Sequence, residues 1–153
     1  MSHQEIFNEI EKILQNAFKE RLKRNLVDKN TYLEIENSEF YLRCNEIELT
    51  VGFGIIHNHF NDDYDNIELA IDRVFSLITN RIKIVDLIKG NKIYKKTIEI
   101  EHQNMSSEHF GSMTQFVLAF WKKEEERIQY FDKLIDAKEI KNEFEKLKSK
   151  NVC

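Results

Sequence analysis

The stretch Ile47-Glu-Leu-Thr-Val-Gly-Phe-Gly-Ile-Ile-His-Asn-His-Phe-Asn-Asp-Asp-Tyr-Asp65 decides the fold. Its first half alternates apolar residues with polar residues or glycine, which is the period of a half-buried strand. We therefore expect one long strand over residues 46–56. If that strand continues, His57 and His59 point to the same side as the apolar residues.

Amphipathic patterns on either side of this stretch predict three helices. Apolar residues recur at spacings of three and four over residues 2–26, 66–79 and 134–149. Capping-box patterns at Ser2–Glu5 and Asp65–Glu68 mark the starts of the first two helices, because the side chains there can bond the free amides of a first turn. Helices are thus expected before, within and after the strands.

The remaining segments predict further strands and one α+β domain over residues 1–153. Residues 102–112 are polar and are expected to form a loop, whereas residues 114–122 are apolar on both faces, which predicts a central strand or alternatively a buried helix. Because strands mostly follow strands, the order favours an antiparallel sheet with helices packed on it. The other strands are expected over residues 32–36, 40–44, 81–88, 92–101 and 128–131, with Lys89-Gly-Asn91 as a hairpin turn.

The composition, 41% hydrophobic and 33% charged residues, is that of an ordinary globular protein. The first residues lack the basic start and apolar core of a signal peptide, and the apolar runs are too short to span a bilayer. Cys44, in a predicted strand, and Cys153 do not form the pattern of a disulfide framework, and Cys44 is expected to be a buried, inert thiol. We expect a cytoplasmic protein without cofactor or membrane partner.

The net charge of −4 is unevenly distributed along the chain. Residues 34–72 hold ten acidic side chains and one basic side chain, Arg43, a net charge of −9, which leaves +5 for the rest. An acidic middle argues against nucleic acid as its partner and favours a basic protein or a cation. Strands and turns that simply carry solvated carboxylates explain the same pattern.

His57 and His59 form a candidate metal site. Two histidines two residues apart on a strand can present both rings to one ion, and Asp62, Asp63 or Asp65 can add an oxygen ligand. Such a site activates water, so a metal-dependent hydrolase is one hypothesis. Two alternatives stay open: the histidines close the end of the core, or they recognise a partner.

Phe60 and Tyr64 bracket the acidic run Asn61-Asp-Asp63 where the strand gives way to a helix. Aromatic anchors surrounded by carboxylates suit a protein-binding surface, because the rings supply buried area and the charges steer a basic partner. The alternative is that the two rings staple the start of the helix.

A broader pattern over residues 46–100 resembles small bacterial immunity proteins that accompany polymorphic toxins. Several of their families show a strand ending in an aromatic or histidine pair with His-Phe-Asp, then an alanine-bearing helix and a hairpin of the Lys-Gly-Gly-Lys type. Here Asn61 stands at the first acidic position of that pattern, and Asn91 replaces a glycine. The matching segments are Gly54-Ile-Ile-His-Asn-His-Phe-Asn-Asp-Asp-Tyr-Asp65, Asn66-Ile-Glu-Leu-Ala-Ile-Asp-Arg-Val-Phe75, Ile82-Lys-Ile84 and Lys89-Gly-Asn-Lys92.

The resemblance implies a non-enzymatic, cytoplasmic protein that binds and blocks one cognate toxin. The expected interface is the strand-to-helix region 57–68. The contacts that the resemblance implies are His57, His59, Asp62, Asp63 and Tyr64. The acidic and aromatic pattern adds Phe60, Asp65 and Glu68 to the partner-binding set. The alternative hypothesis is a metal-dependent hydrolase that uses His57, His59 and a nearby Asp.

Overall fold

The computed structural model describes residues 1–64, 66–119 and 121–151, with Tyr64 described by its backbone alone. The described chain contains three α-helices and two antiparallel sheets, which confirms the predicted α+β class. It divides into two compact units, Met1–Thr79 with Leu134–Cys153 and Asn80–Lys133. We call them the five-stranded unit and the four-stranded unit; that residues 1–153 form a single domain stays a prediction.

The sheet of the five-stranded unit is an antiparallel meander in which each strand pairs with the next one along the chain. Buried residues alternate along the third strand and the end of the second, because successive side chains of a strand point to opposite faces, whereas the fourth strand is buried throughout. The strands are β1 (Leu22–Val27), β2 (Asn30–Ile35), β3 (Phe40–Cys44), β4 (Leu49–Phe53) and β5 (Ile56–Phe60).

The predicted single strand 46–56 is wrong, because a turn at Gly54 and Ile55 separates β4 from β5. Gly54 has φ +60°, a conformation that glycine adopts without a steric penalty. The turn also changes which side chains face the core. Ile55 is 58% exposed, and Ile47, before β4, is 73% exposed, although both belong to the apolar phase of the sequence pattern.

The helices of this unit are α1 (His3–Phe18), α2 (Ile67–Thr79) and α3 (Ala137–Asn151). Ser2 and Glu5 form the predicted capping box at the start of α1. The predicted helix 2–26 is too long: Lys19 has φ +52° and ends α1, a 3₁₀ turn follows over Lys19–Arg21, and β1 begins at Leu22. None of the described helices is long and apolar enough to cross a membrane.

The core of the five-stranded unit lies between the helices and one face of the sheet. Helices α1 and α2 contact the sheet, and α3 contacts both of these helices. The backbone amides of Leu134 and Ile135, just before α3, donate to the carbonyl oxygen of Ile78 at the end of α2. The fully buried side chains include Ile6, Phe7, Ile10, Leu14, Leu33, Leu42, Leu49, Val51, Ile71 and Ile78.

The four-stranded unit is an antiparallel sheet of order β8-β7-β6-β9. The predicted turn between β6 and β7 is confirmed, with φ +59° at Gly90 and +67° at Asn91. The strands are β6 (Arg81–Lys89), β7 (Lys92–Glu101), β8 (Ser107–Thr114) and β9 (Glu124–Phe131).

Two predictions in this unit are wrong. The expected loop 102–112 ends early, since β8 begins at Ser107 and pairs with β7. The expected buried strand or helix over 114–122 is absent from the described residues of that range: β8 ends at Thr114, and Phe116 is 90% exposed. The apolar residues predicted burial here, but the pairing of β8 with β7 ends at Thr114, and the described residues that follow it in this range are not in a strand.

Candidate functional site

The candidate site is the face of the five-stranded sheet opposite the helices, which we call the outer face. Side chains from four adjacent strands meet there because the strand register aligns them. Gly52 lies between Tyr41 and His57 in one row across the sheet, and Thr50 lies between Arg43 and His59 in the next. The outer face comprises Tyr32, Glu34, Tyr41, Arg43, Thr50, Gly52, His57 and His59.

His57 and His59 therefore lie on the polar side of the sheet. Their position beside the apolar residues was predicted only for a strand that continues, and the strand ends at Phe53. The turn at Gly54 and Ile55 reverses the chain, so that Ile56 and Phe60 of β5 face the core and the histidines face outward. Alternation in sequence predicts a side chain's face only while one strand continues.

The ring of Tyr41 lies directly over Gly52. A Cβ atom at Gly52 would come within 2.1 Å of Tyr41 Cζ and 2.3 Å of Cε1, far inside van der Waals contact. Glycine at this position thus allows an aromatic ring to lie flat against the sheet. Burial in this position raises the pKa of the Tyr41 hydroxyl, so it stays protonated and can donate a hydrogen bond at neutral pH.

A hydrogen-bonded network fixes the second row of the outer face. Arg43 Nη2 donates to Glu48 Oε1 at 2.7 Å and to Thr50 Oγ1 at 2.7 Å. The same Glu48 oxygen lies 2.8 Å from His59 Nδ1. Arg43 and Glu48 are each less than a quarter exposed, so this charge pair is partly shielded from solvent. The network holds these four side chains in one arrangement.

His57 and His59 are neighbours on the face, with ring centroids 4.8 Å apart and planes at 85°. Burial is the main reason that the pKa of His57 is lowered, and the nearby His59 and Arg43 lower it further. His57 is therefore neutral at pH 7 and offers one donor and one acceptor nitrogen.

A concavity of about 460 Å³ opens on this face. The rings of Tyr32 and Tyr41 stand 6.4 Å apart at 45° within it. Both Glu34 and Glu39 line it and are exposed. Asn25 Nδ2 donates to Glu34, and among the described residues Glu39 has no cationic partner. The concavity thus combines aromatic walls with carboxylates.

The remaining predicted contacts do not lie on the outer face. Phe60 is only 6% exposed and faces the core, so the prediction of an exposed aromatic is wrong for this residue. Asp62 accepts from the backbone amide of His3 at 2.8 Å and lies 2.7 Å from its ring Nδ1. The bond from the His3 side chain is the main reason that the pKa of Asp62 is lowered. Asp62 thus ties the start of α1 to the segment after β5.

Asp63 and Glu68 are exposed at the start of α2, where Glu68 accepts from Asn151 Nδ2 at 3.1 Å. Asp65 and the side chain of Tyr64 lie outside the described residues. The described residues of the expected interface 57–68 therefore divide between three places: the outer face, the core, and the junction of α1 with α2. Only His57 and His59 join the outer face.

The described residues give little support to the metal-site hypothesis. The carboxylate beside the histidines is Glu48, not Asp62 or Asp63, and Asp62 is bound to His3. Within residues 1–64, 66–119 and 121–151, no group of three or more His, Cys, Asp or Glu is arranged to hold a metal ion. Cys44 is buried as expected, and burial raises the pKa of its thiol to about 11. Cys153 lies outside the described residues.

Sequence reasoning missed Tyr32, Tyr41 and Arg43 as members of the site. The signal was present in the alternation of β2 and β3, where these residues occupy the polar phase between Leu33, Leu42 and Cys44. Large aromatic residues at the solvent-facing positions of a strand indicate that this face of the sheet is an interaction site.

The geometry defines an α+β protein with a preorganised, aromatic and carboxylate-rich sheet face. No family model matches the chain, and no curated protein or solved structure matches it.

Proposed function

We propose that this chain is an immunity-type binding protein that neutralises a cognate bacterial toxin in the cytoplasm by direct protein–protein contact, and that the outer face is its contact surface. One observation carries the proposal: the outer face is concave, aromatic and held in place by the Tyr41–Gly52 contact and the Arg43–Glu48–His59 network. The resemblance of residues 46–100 to immunity proteins supplies the class of partner.

The residue types of the outer face support a protein partner. Tyrosine and arginine are enriched at protein interfaces and lysine is depleted there. Tyr32, Tyr41 and Arg43 lie near the middle of the face, and Lys23 lies on the edge strand β1. Side chains already fixed lose little conformational freedom on binding, which favours affinity.

The charges on the outer face favour a basic partner. Glu48 already pairs with Arg43, whereas Glu34 and Glu39 line the concavity without an ion pair among the described residues. An arginine or lysine side chain of the toxin would meet tyrosine rings and carboxylates together, which combines cation–π attraction with charge-assisted hydrogen bonds. Inhibition by contact requires no catalytic group in this chain.

The proposal is tested by co-expressing this chain with each protein encoded by a neighbouring gene, one of which we expect to be a toxin that arrests growth. We expect wild type to restore growth and to form a stoichiometric complex with the toxin. Tyr41→Ala and His57→Ala should each weaken the complex by about tenfold to a hundredfold, as expected for truncated interface anchors.

A matched control separates contact from folding. Lys138→Glu alters an exposed residue of α3, far along the chain from the outer face, and should leave growth and affinity unchanged. Unfolding midpoints of all variants should be compared on the same material. The proposal fails if wild type neither binds the toxin nor restores growth; the contact surface is misassigned if binding persists in the Tyr41→Ala, His57→Ala double variant.

A further inference from the structure

The segment that joins β8 to β9 exposes an unusual amount of apolar surface. We call residues 115–123 the apolar loop, of which 115–119 and 121–123 are described. Phe116 is 90% exposed, Leu118 is 73% exposed and Trp121 is 70% exposed. Three large apolar side chains exposed within one short loop exceed the scattered single residues of an ordinary surface and indicate an interaction site.

Backbone hydrogen bonds hold the base of the apolar loop, although Phe116, Leu118 and Trp121 are exposed. The amide of Gln115 donates to the carbonyl of Tyr94 at 2.7 Å, and the amide of Lys122 donates to the carbonyl of Ala119 at 3.0 Å. A Cβ atom at Gly90 would lie 3.0 Å from Ala119 Cβ and from Lys122 Cδ. The loop therefore rests on the turn between β6 and β7.

This contact brings lysines to the base of the apolar loop. They come from the loop itself, from the turn and from β7: Lys89, Lys92, Lys95, Lys122 and Lys123. None of the five forms an ion pair with another described residue, and Lys89 lies 5.1 Å from the centre of the Tyr94 ring. Three glutamates follow at 124–126, of which Glu124 accepts from the Tyr94 hydroxyl. The end of the sheet keeps an excess of positive charge.

We propose that the apolar loop inserts into the surface of an anionic lipid bilayer, with Phe116, Leu118 and Trp121 among the lipid headgroups and acyl chains and the lysines against the headgroup charges. Tryptophan is favoured at the membrane–water interface, and lysines near an anionic leaflet are attracted to it. A protein partner is the less suited occupant, because lysine is depleted at protein interfaces. The proposal is independent of toxin binding and departs from the sequence-based expectation of no membrane partner.

Trp121 is the only tryptophan in the chain and serves as the reporter. Purified protein is mixed with phosphatidylcholine vesicles that contain about 30% phosphatidylserine, an anionic surface of the kind that attracts basic segments. We expect a blue shift of tryptophan emission and protection from iodide quenching, with partitioning about tenfold stronger than into pure phosphatidylcholine. Tryptophan emission that stays unchanged with both kinds of vesicle overturns the proposal and favours a protein as the partner of the loop.

Two pairs of variants separate the apolar and the electrostatic contributions. Phe116→Ser with Leu118→Ser should abolish the blue shift, whereas Lys122→Glu with Lys123→Glu should remove the preference for anionic vesicles. These residues are exposed, so the fold should persist, which circular dichroism checks.

Matched controls change the same residue types elsewhere on the chain. Leu26→Ser with Ile47→Ser removes apolar side chains that are 75% and 73% exposed in the five-stranded unit. Lys138→Glu with Lys146→Glu reverses exposed lysines of α3. Both controls should bind vesicles as wild type does. Equal losses in the controls and the loop variants would contradict insertion by this loop.

Discussion

The contact between Tyr41 and Gly52 shows how one missing side chain shapes a surface. Glycine normally weakens a strand, because it loses more backbone freedom on folding than other residues and has no side chain to pack. Here its absent Cβ leaves room for the Tyr41 ring, which closes one wall of the concavity. The glycine that weakens the strand is therefore the residue that makes room for the half-buried Tyr41 ring.

This coupling yields a double-mutant prediction. Gly52→Ala should destabilise wild type by about 1–2 kcal/mol, because the Tyr41 ring must leave its position. In the Tyr41→Ala background the same substitution should be neutral or stabilising, since alanine suits a strand better than glycine. Denaturant unfolding of the four proteins measures the difference. Additive effects would contradict the contact.

Asp86 in β6 is a buried carboxylate in the four-stranded unit. Lys96 Nζ lies 2.7 Å from one of its oxygens, and Arg127 Nη2 donates to the other at 2.9 Å. Burial alone would raise the pKa of Asp86, but the hydrogen bonds from Lys96 and Arg127 outweigh it and hold the pKa below the ordinary 3.8. The ionised form thus stabilises the fold above that pH.

We expect Asp86→Asn to destabilise the protein by about 3 kcal/mol at neutral pH, because the half-buried Lys96 is left without its counter-charge. In wild type this contribution is lost as pH falls below 3.8 and through the lower pKa of folded Asp86. Unfolding measured between neutral and acidic pH tests both statements. Asp132→Asn, at an exposed position of the same unit, is the control and should change little. An equal loss in the control would count against the ion pairs.

The helices and strands differ in how far the sequence predicts them. The capping box at Ser2 and the turn at Gly90 depend on residues a few positions apart, and both are present as expected. The division of residues 46–56 at Gly54 was missed, since the apolar alternation continues through the turn to Ile55. The exposure of the apolar loop was not predicted, because burial depends on strand partners that the local sequence does not reveal.

The candidate site was predictable only in part for the same reason. His57 and His59 were singled out, and both lie on the outer face. Their neighbours Tyr41 and Arg43 come from another strand and are brought in by register. The prediction that Phe60 is an exposed contact was wrong, because the preceding turn determines which face of β5 its side chain occupies. The residue types in the sequence indicated a site, but which residues belong to it depends on how the strands pair.

The two units carry opposite net charges. Residues 80–133 contain ten basic and eight acidic side chains, a net charge of +2, which leaves −6 for the rest of a chain whose total is −4. If the chain binds a basic toxin as proposed, long-range attraction should come from the five-stranded unit and should be screened by salt.

We expect the association rate with the toxin to fall by about tenfold between low salt and a salt concentration well above the physiological one, with a smaller change in the dissociation rate. Stopped-flow mixing or surface binding kinetics measures both rates. Glu34→Gln with Glu39→Gln should lower the salt dependence more than Glu143→Gln with Glu145→Gln on α3, because the two control carboxylates carry the same charge in the same unit but do not line the concavity. An association rate insensitive to salt would rule out steering by these charges.

The order of the elements along the chain has a consequence for synthesis on the ribosome. Helix α3 buries Ile140, Phe144 and Leu147 and contacts α1 and α2, but the whole four-stranded unit is translated before it. Until α3 emerges, the nascent chain holds α1 and α2 with that apolar surface uncovered. Such intermediates are prone to aggregate and are bound by chaperones. Synthesis of the five-stranded unit begins first, but this unit is complete only after the four-stranded unit has left the ribosome.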